Sequence, residues 1–160
     1  MPETIPNLWP DDFKVDVRSP YSILKVQAEQ LGRATRGILR GEVESETNQK
    51  DVQHRLVVVA PAYNNYRQTL VAAIHNAKLP YPTEIRALGR LENTDQERLF
   101  IDEVEEEAED EDDVQQTIFP TAYDDTEVIK YVSEALRSGP TRSLIISLIA
   151  KSTEAAIPNG

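Results

Sequence analysis

The chain contains no cysteine. This excludes disulfides, zinc–thiolate sites, iron–sulfur clusters and thiol nucleophiles together. It also fits a reducing compartment, so a cytoplasmic location is expected. Histidine is nearly missing: His54 and His75 are the only two. Six glycines are scattered along 160 residues and build no dinucleotide fingerprint, phosphate loop or nucleophile elbow. Long apolar runs are absent as well. The longest, Leu144 to Ala150, is broken by Ser147 and is far too short to span a bilayer. The segment Met1–Pro6 has neither a basic region nor an apolar run, so it does not read as a signal peptide.

What the chain has in quantity is negative charge, concentrated in one place. Its formal net charge is −11. The window Asp102–Asp113 holds 10 acids (Asp102, Glu103, Glu105, Glu106, Glu107, Glu109, Asp110, Glu111, Asp112 and Asp113) and no base. The remainder holds 18 acids and 17 bases, a nearly neutral globular composition. So dense a run of like charge repels itself and buries nothing, which predicts a disordered loop. One segment, rather than the whole surface, would then carry the electrostatic field.

Residues 1–18 form an irregular arm punctuated by Pro2, Pro6 and Pro10. Leu8, Trp9 and Phe13 are apolar enough to pin that arm to a core; the alternative is an exposed anchor for a partner. Residues 19–160 read as one α+β domain with an acidic linker at about 90–120. Ser19-Pro20 is a helix start, followed by Leu24, Ala28, Leu31, Thr35, Ile38 and Leu39 at helical spacing. The helix should end near Gly37 or Gly41, with Arg33, Arg36 and Arg40 crowding its last turns. Gly41–Thr47 is a weak edge strand, Asn48–Asp51 a turn, and Val52–Ala60 the strongest strand. Tyr66–His75 fits strand or helix; its position just after a strong strand and a short connection decides for strand. Thr83–Leu88 is a further short strand, placed at a sheet edge by Pro80 and Pro82. Asp124 or Asp125 opens a second helix, and Ser138-Gly139-Pro140 stops it. Thr141 then caps a third, whose apolar stripe is Leu144, Ile145, Leu148 and Ile149, widened by Ile146. The expectation is an antiparallel meander of three or four strands, packed by an N-terminal helix and a C-terminal helical hairpin.

Few residues offer chemistry. The two histidines fall on neighbouring strands of the expected hairpin, and a one-residue change of register decides whether they share a face. They bring no fixed third ligand, so neither a metal nor another cofactor is expected. A flexible, solvated carboxylate keeps an ordinary pKa, which makes the acidic run a poor catalyst. The run also lacks the glycine and alternating pattern of an EF-hand loop. Tyr63, Tyr66, His75 and an arginine are the only grouping that suggests a small enzyme. Arg18, Arg33, Arg36, Arg40 and Arg55 are interleaved with acids, so direct nucleic-acid binding is not expected.

These features favour a non-enzymatic protein-binding or regulatory protein, comparable in size and charge to bacterial immunity proteins and antitoxins. The acidic segment would steer a basic partner. Alternatives are a DNA mimic, a small enzyme without a recognisable motif, and a structural subunit that self-associates through Leu144, Ile145, Leu148 and Ile149.

Overall fold

A computed structural model describes residues 4–13, 15–88 and 116–156. Helix α1 spans Pro20–Ala34 and is followed by strands β1 (Arg40–Thr47), β2 (Asp51–Ala60), β3 (Tyr66–Asn76), β4 (Thr83–Leu88) and β5 (Gln116–Ile118). Helices α2 (Asp125–Leu136) and α3 (Gly139–Ala156) complete the chain. The five strands form one antiparallel sheet in sequence order, and the helices supply the other layer of an α+β fold.

Helix α1 begins where the sequence places it. The Ser19 hydroxyl accepts the Ser22 N–H at 3.2 Å, and Pro20 occupies the first turn, where no partner for its nitrogen is needed. Ile23, Leu24 and Ala28 enter the core. The helix stops earlier than the expected Gly37 or Gly41, at Ala34. Arg36 and Gly37 turn the chain with φ of 53° and 78°, and the Gly37 N–H closes on the Gly32 carbonyl at 2.8 Å. Arg40 therefore opens β1 instead of crowding the helix end. Leu39 lies beyond the helix yet is buried, whereas Ile38 is exposed.

Strand β1 lies at the sheet edge, as its thin apolar pattern suggests, and β3 is a strand throughout. The β1–β2 turn is held by the Asn48 side chain, whose Oδ1 accepts the N–H groups of Lys50 and Asp51. Strand β4 is not at an edge. It pairs with β3 on one side and with the three-residue β5 on the other, so the sheet has one strand more than the four the sequence allows. Pro80 and Pro82 stand before the strand and remove no donor from its ladder, so they do not prevent a second neighbour. Strand β5 falls inside the segment read as linker. Its three residues are too few to show a period.

The core cluster joins Leu56, Val58, Leu70, Val71, Ala73, Ile85 and Ala87 of the sheet to Leu24 and Ala28 of α1, Val128, Val132 and Ala135 of α2, and Leu148 of α3. The second helix is capped by Asp124, which accepts the Glu127 N–H at 2.9 Å. Helix α3 starts at Gly139, earlier than a Thr141 cap would put it. The Arg142 N–H already bonds the Ser138 carbonyl, and the Ser138 hydroxyl reaches Ala135 O and Thr141 Oγ1. Among the described residues no helix is long and apolar enough to cross a membrane.

Candidate functional site

The partner-binding residues expected from charge, Asp102, Glu103, Glu105, Glu106, Glu107, Glu109, Asp110, Glu111, Asp112 and Asp113, lie outside the described residues. Two other features carry recognisable chemistry: the N-terminal arm and a histidine pair.

The arm is not pinned by its apolar residues, contrary to the first of the two readings above. Leu8, Trp9 and Phe13 are 81%, 71% and 60% exposed, and Trp9 and Phe13 pack only loosely on each other with ring centres 5.8 Å apart. Prolines keep the arm irregular, so it cannot fold its apolar residues back along a helix face. The anchor is polar and lies at the arm's end. The Arg18 N–H donates to Asp125 Oδ2 at 3.1 Å, and the Tyr81 hydroxyl donates to the Arg18 carbonyl at 2.6 Å. Asp125, in the first turn of α2, is fully buried.

This anchor gives Tyr81 an alkaline signature. Burial, followed by the negative charges of Asp125 and Asp124, pushes its phenol up to about 12, with Arg18 opposing. In the unfolded chain the same phenol ionises near pH ~10. The unfolded state therefore loses the proton first. The stabilisation is intact below pH ~10 and is lost as pH rises towards about 12. Chemical denaturation across this range should show a steeper alkaline loss of stability in the native protein than in Y81F. Equal slopes would remove Tyr81 from the anchor.

The histidines do meet. Below the β2–β3 turn the register runs Ala60↔Tyr66 to Val57↔Thr69; beyond it, Leu56 faces Val71 and His54 faces Ala73. Leu70 is left without a cross-strand partner, which is a β-bulge. Without the bulge, His54 would oppose Ala72 and His75 would stand on the other face. With it, the rings are diagonal neighbours on the helix-covered face, and their Nε2 atoms lie 3.0 Å apart. Ser45, directly opposite His54 on β1, places its hydroxyl 2.7 Å from His54 Nδ1. The Tyr21 ring of α1 meets His54 edge-on at 5.3 Å.

One arrangement of protons satisfies the whole chain with both rings neutral. His75 Nδ1 lies 2.8 Å from the Asn76 carbonyl, which only accepts, so Nδ1 carries the hydrogen. His75 Nε2 is then an acceptor and takes the hydrogen of His54 Nε2. That leaves His54 Nδ1 to accept the Ser45 hydroxyl. Burial, and next the neighbouring His75, hold the His54 imidazole below its ordinary pKa. The hydrogen-bonded chain crosses three strands along one face of the sheet, from exposed Ser45 through buried His54 to half-buried His75.

The opposite face of the sheet is a layer of charge. Arg67 bridges Glu42 and Glu44, Arg55 bridges Glu44 and Glu46, and Arg40 pairs with Glu42. The Arg67 hydrogen bond is the main reason the Glu42 carboxyl is held below its usual value. Of the five arginines weighed as a basic patch, Arg18, Arg40 and Arg55 are each engaged with a carboxylate.

Other expected groupings are dispersed. Tyr66 and His75 lie at opposite ends of β3, with Tyr63 in the turn beyond Tyr66, so the Tyr63–Tyr66–His75 grouping does not assemble. A groove of about 270 Å³ between α1 and α2 is lined by Ile23, Gln27, Ile129, Val132, Ser133, Leu136 and Arg137. It includes none of the grouped tyrosines or histidines. On α3, Leu148 is buried in the core cluster, and Leu144, Ile145 and Ile149 pack against that cluster. Ile146 is the exposed member of the stripe, at 56%.

Compared with protein-family models, with curated proteins and with solved structures, the chain matches none.

Proposed function

We propose that this is a non-enzymatic protein-binding protein whose N-terminal arm is the anchor and whose acidic segment Asp102–Asp113 steers a basic partner. The observation that carries this reading is the exposure of Leu8, Trp9 and Phe13 on an arm fixed to the body at Arg18. Tryptophan is among the residue types most enriched in interface hot spots, and an exposed Trp9 with Leu8 and Phe13 beside it forms an apolar group that none of the described residues of the body covers. Asp11 and Asp12 lie between Trp9 and Phe13 and Asp16 follows them, so arm and acidic run have the same sign and suit the same basic surface. Self-association through α3 has less support, because three of its four stripe residues already pack on their own chain's core cluster and the fourth is buried in it.

The test is affinity capture from the native extract with three baits: the intact chain, L8A/W9A/F13A, and a deletion of Asp102–Asp113. A basic protein held by the intact chain, lost from the triple variant and bound more slowly by the deletion is the expected result. Retention by the triple variant at full strength would move recognition to the folded body. Loss of the arm's anchors should cost at least about 2 kcal/mol of binding, roughly a 30-fold weaker Kd. The association rate of the intact chain should fall steeply with salt, and that of the deletion much less so, since of these two elements only the arm's aspartates remain to attract the partner.

A further inference from the structure

We propose that His54 and His75 chelate one divalent transition-metal ion of the Zn2+ or Cu2+ class through their facing Nε2 atoms, at a site separate from the arm. Two nitrogens bound to one tetrahedral ion at about 2.0–2.1 Å are about 3.3 Å apart. These two stand at 3.0 Å, so the rings need to part by only a few tenths of an ångström.

The surrounding hydrogen bonds are those a metal ligand requires. A ligating imidazole normally donates its other N–H to an oxygen, which fixes its tautomer and aims its lone pair. His75 does so already, through Nδ1 and the Asn76 carbonyl. For His54 the partner is Ser45, at 2.7 Å from Nδ1. Metal binding moves the His54 hydrogen from Nε2 to Nδ1, and the Ser45 contact must then reverse from donor to acceptor. A hydroxyl can do both; a lysine in that place could only donate, and a carboxylate could only accept. The same three side chains can therefore form either the hydrogen-bonded pair or the chelate, with Ser45 reversing its role.

Chemistry selects the ion. Imidazole nitrogen suits zinc and copper, whereas magnesium and calcium require oxygen ligands. Among the described residues no group of three or more His, Cys, Asp or Glu side chains is arranged to hold a metal ion. The ion would therefore keep open positions for water or another ligand. Half-buried His75 leaves a route in from solvent, while buried His54 and the Tyr21 ring close the inner side.

The experiment titrates Zn2+ into the full-length, chelator-treated protein near neutral pH, with excess Mg2+ present to occupy the carboxylates. Calorimetry counts the ions, and proton NMR follows the imidazoles, of which the chain has only two. The expected result is one Zn2+ per chain with both imidazoles shifted. H75Q should abolish that binding, and S45A should weaken it about tenfold. Stoichiometric binding that survives in H75Q, or imidazole signals unmoved at millimolar Zn2+, would overturn the proposal. The NMR measurement needs no variant, so it decides the matter even if H75Q does not fold.

Discussion

Replacing Gly41 with alanine is expected to destabilise the protein by about 3 kcal/mol and to lower its Tm by on the order of 10 °C. A Cβ at this position would lie 2.4–2.8 Å from the Ala28 carbonyl oxygen, Cα and carbonyl carbon. Those are backbone atoms of α1, not the end of a mobile side chain, so the helix itself must move off the sheet. Moving it disturbs Leu24 and Ala28, which share the core with Leu56 and Val58. Gly37 provides the contrast. It has open space around it but a φ of 78°, so G37A should cost only about 1 kcal/mol, from backbone strain alone. Thermal and urea denaturation of both variants gives the comparison. A G41A protein as stable as G37A would mean that α1 is not seated on β1 at Ala28.

The second large effect is expected at Asp125. Its carboxylate is wholly buried and accepts the Arg18 N–H, while the Arg18 guanidinium lies 3.6 Å away with its side chain 61% exposed. D125A removes a buried acceptor and leaves the Arg18 amide without that partner, at a cost of about 3 kcal/mol. R18A keeps the backbone N–H and removes only a largely solvated ion pair, so it should cost under about 1 kcal/mol. Urea denaturation of the two variants separates them. Equal losses would show that the ion pair, not the backbone hydrogen bond, holds the arm's end. D125A should also release the arm's end to early proteolysis, which limited trypsin digestion after Arg18 would reveal.

Much of the fold is legible in the sequence because it is written in local signals. Ser19-Pro20 and Asp124 cap their helices through contacts within three residues. Leu56–Val59 and the Asn48 turn mark a strand and its hairpin in the same local way. Misjudged features are those decided at a distance. Thr141 has the chemistry of a cap, but Ser138 reaches the position first. Gln116–Ile118 becomes a strand only because β4 offers it an edge. Leu8, Trp9 and Phe13 are apolar, yet apolarity alone does not provide a surface on which to bury them.

The histidine pair shows the same division most sharply. The sequence by itself determined that the chain has two imidazoles and that no thiol competes with them; that His75 lies on a strand beside that of His54, where its residues fit a helix equally well, was decided by the sheet. The sequence also determined that 10 of the chain's acids and no base fall in the window Asp102–Asp113. Whether the imidazoles meet was decided by one unpaired residue, Leu70, which shifts the register of β3 against β2. Side chains alternate faces with a period of two, so a single extra residue brings His75 from one side of the sheet to the other. A register belongs to the pairing of two strands and to the core they share. It is fixed by tertiary packing, not by either strand's own residues.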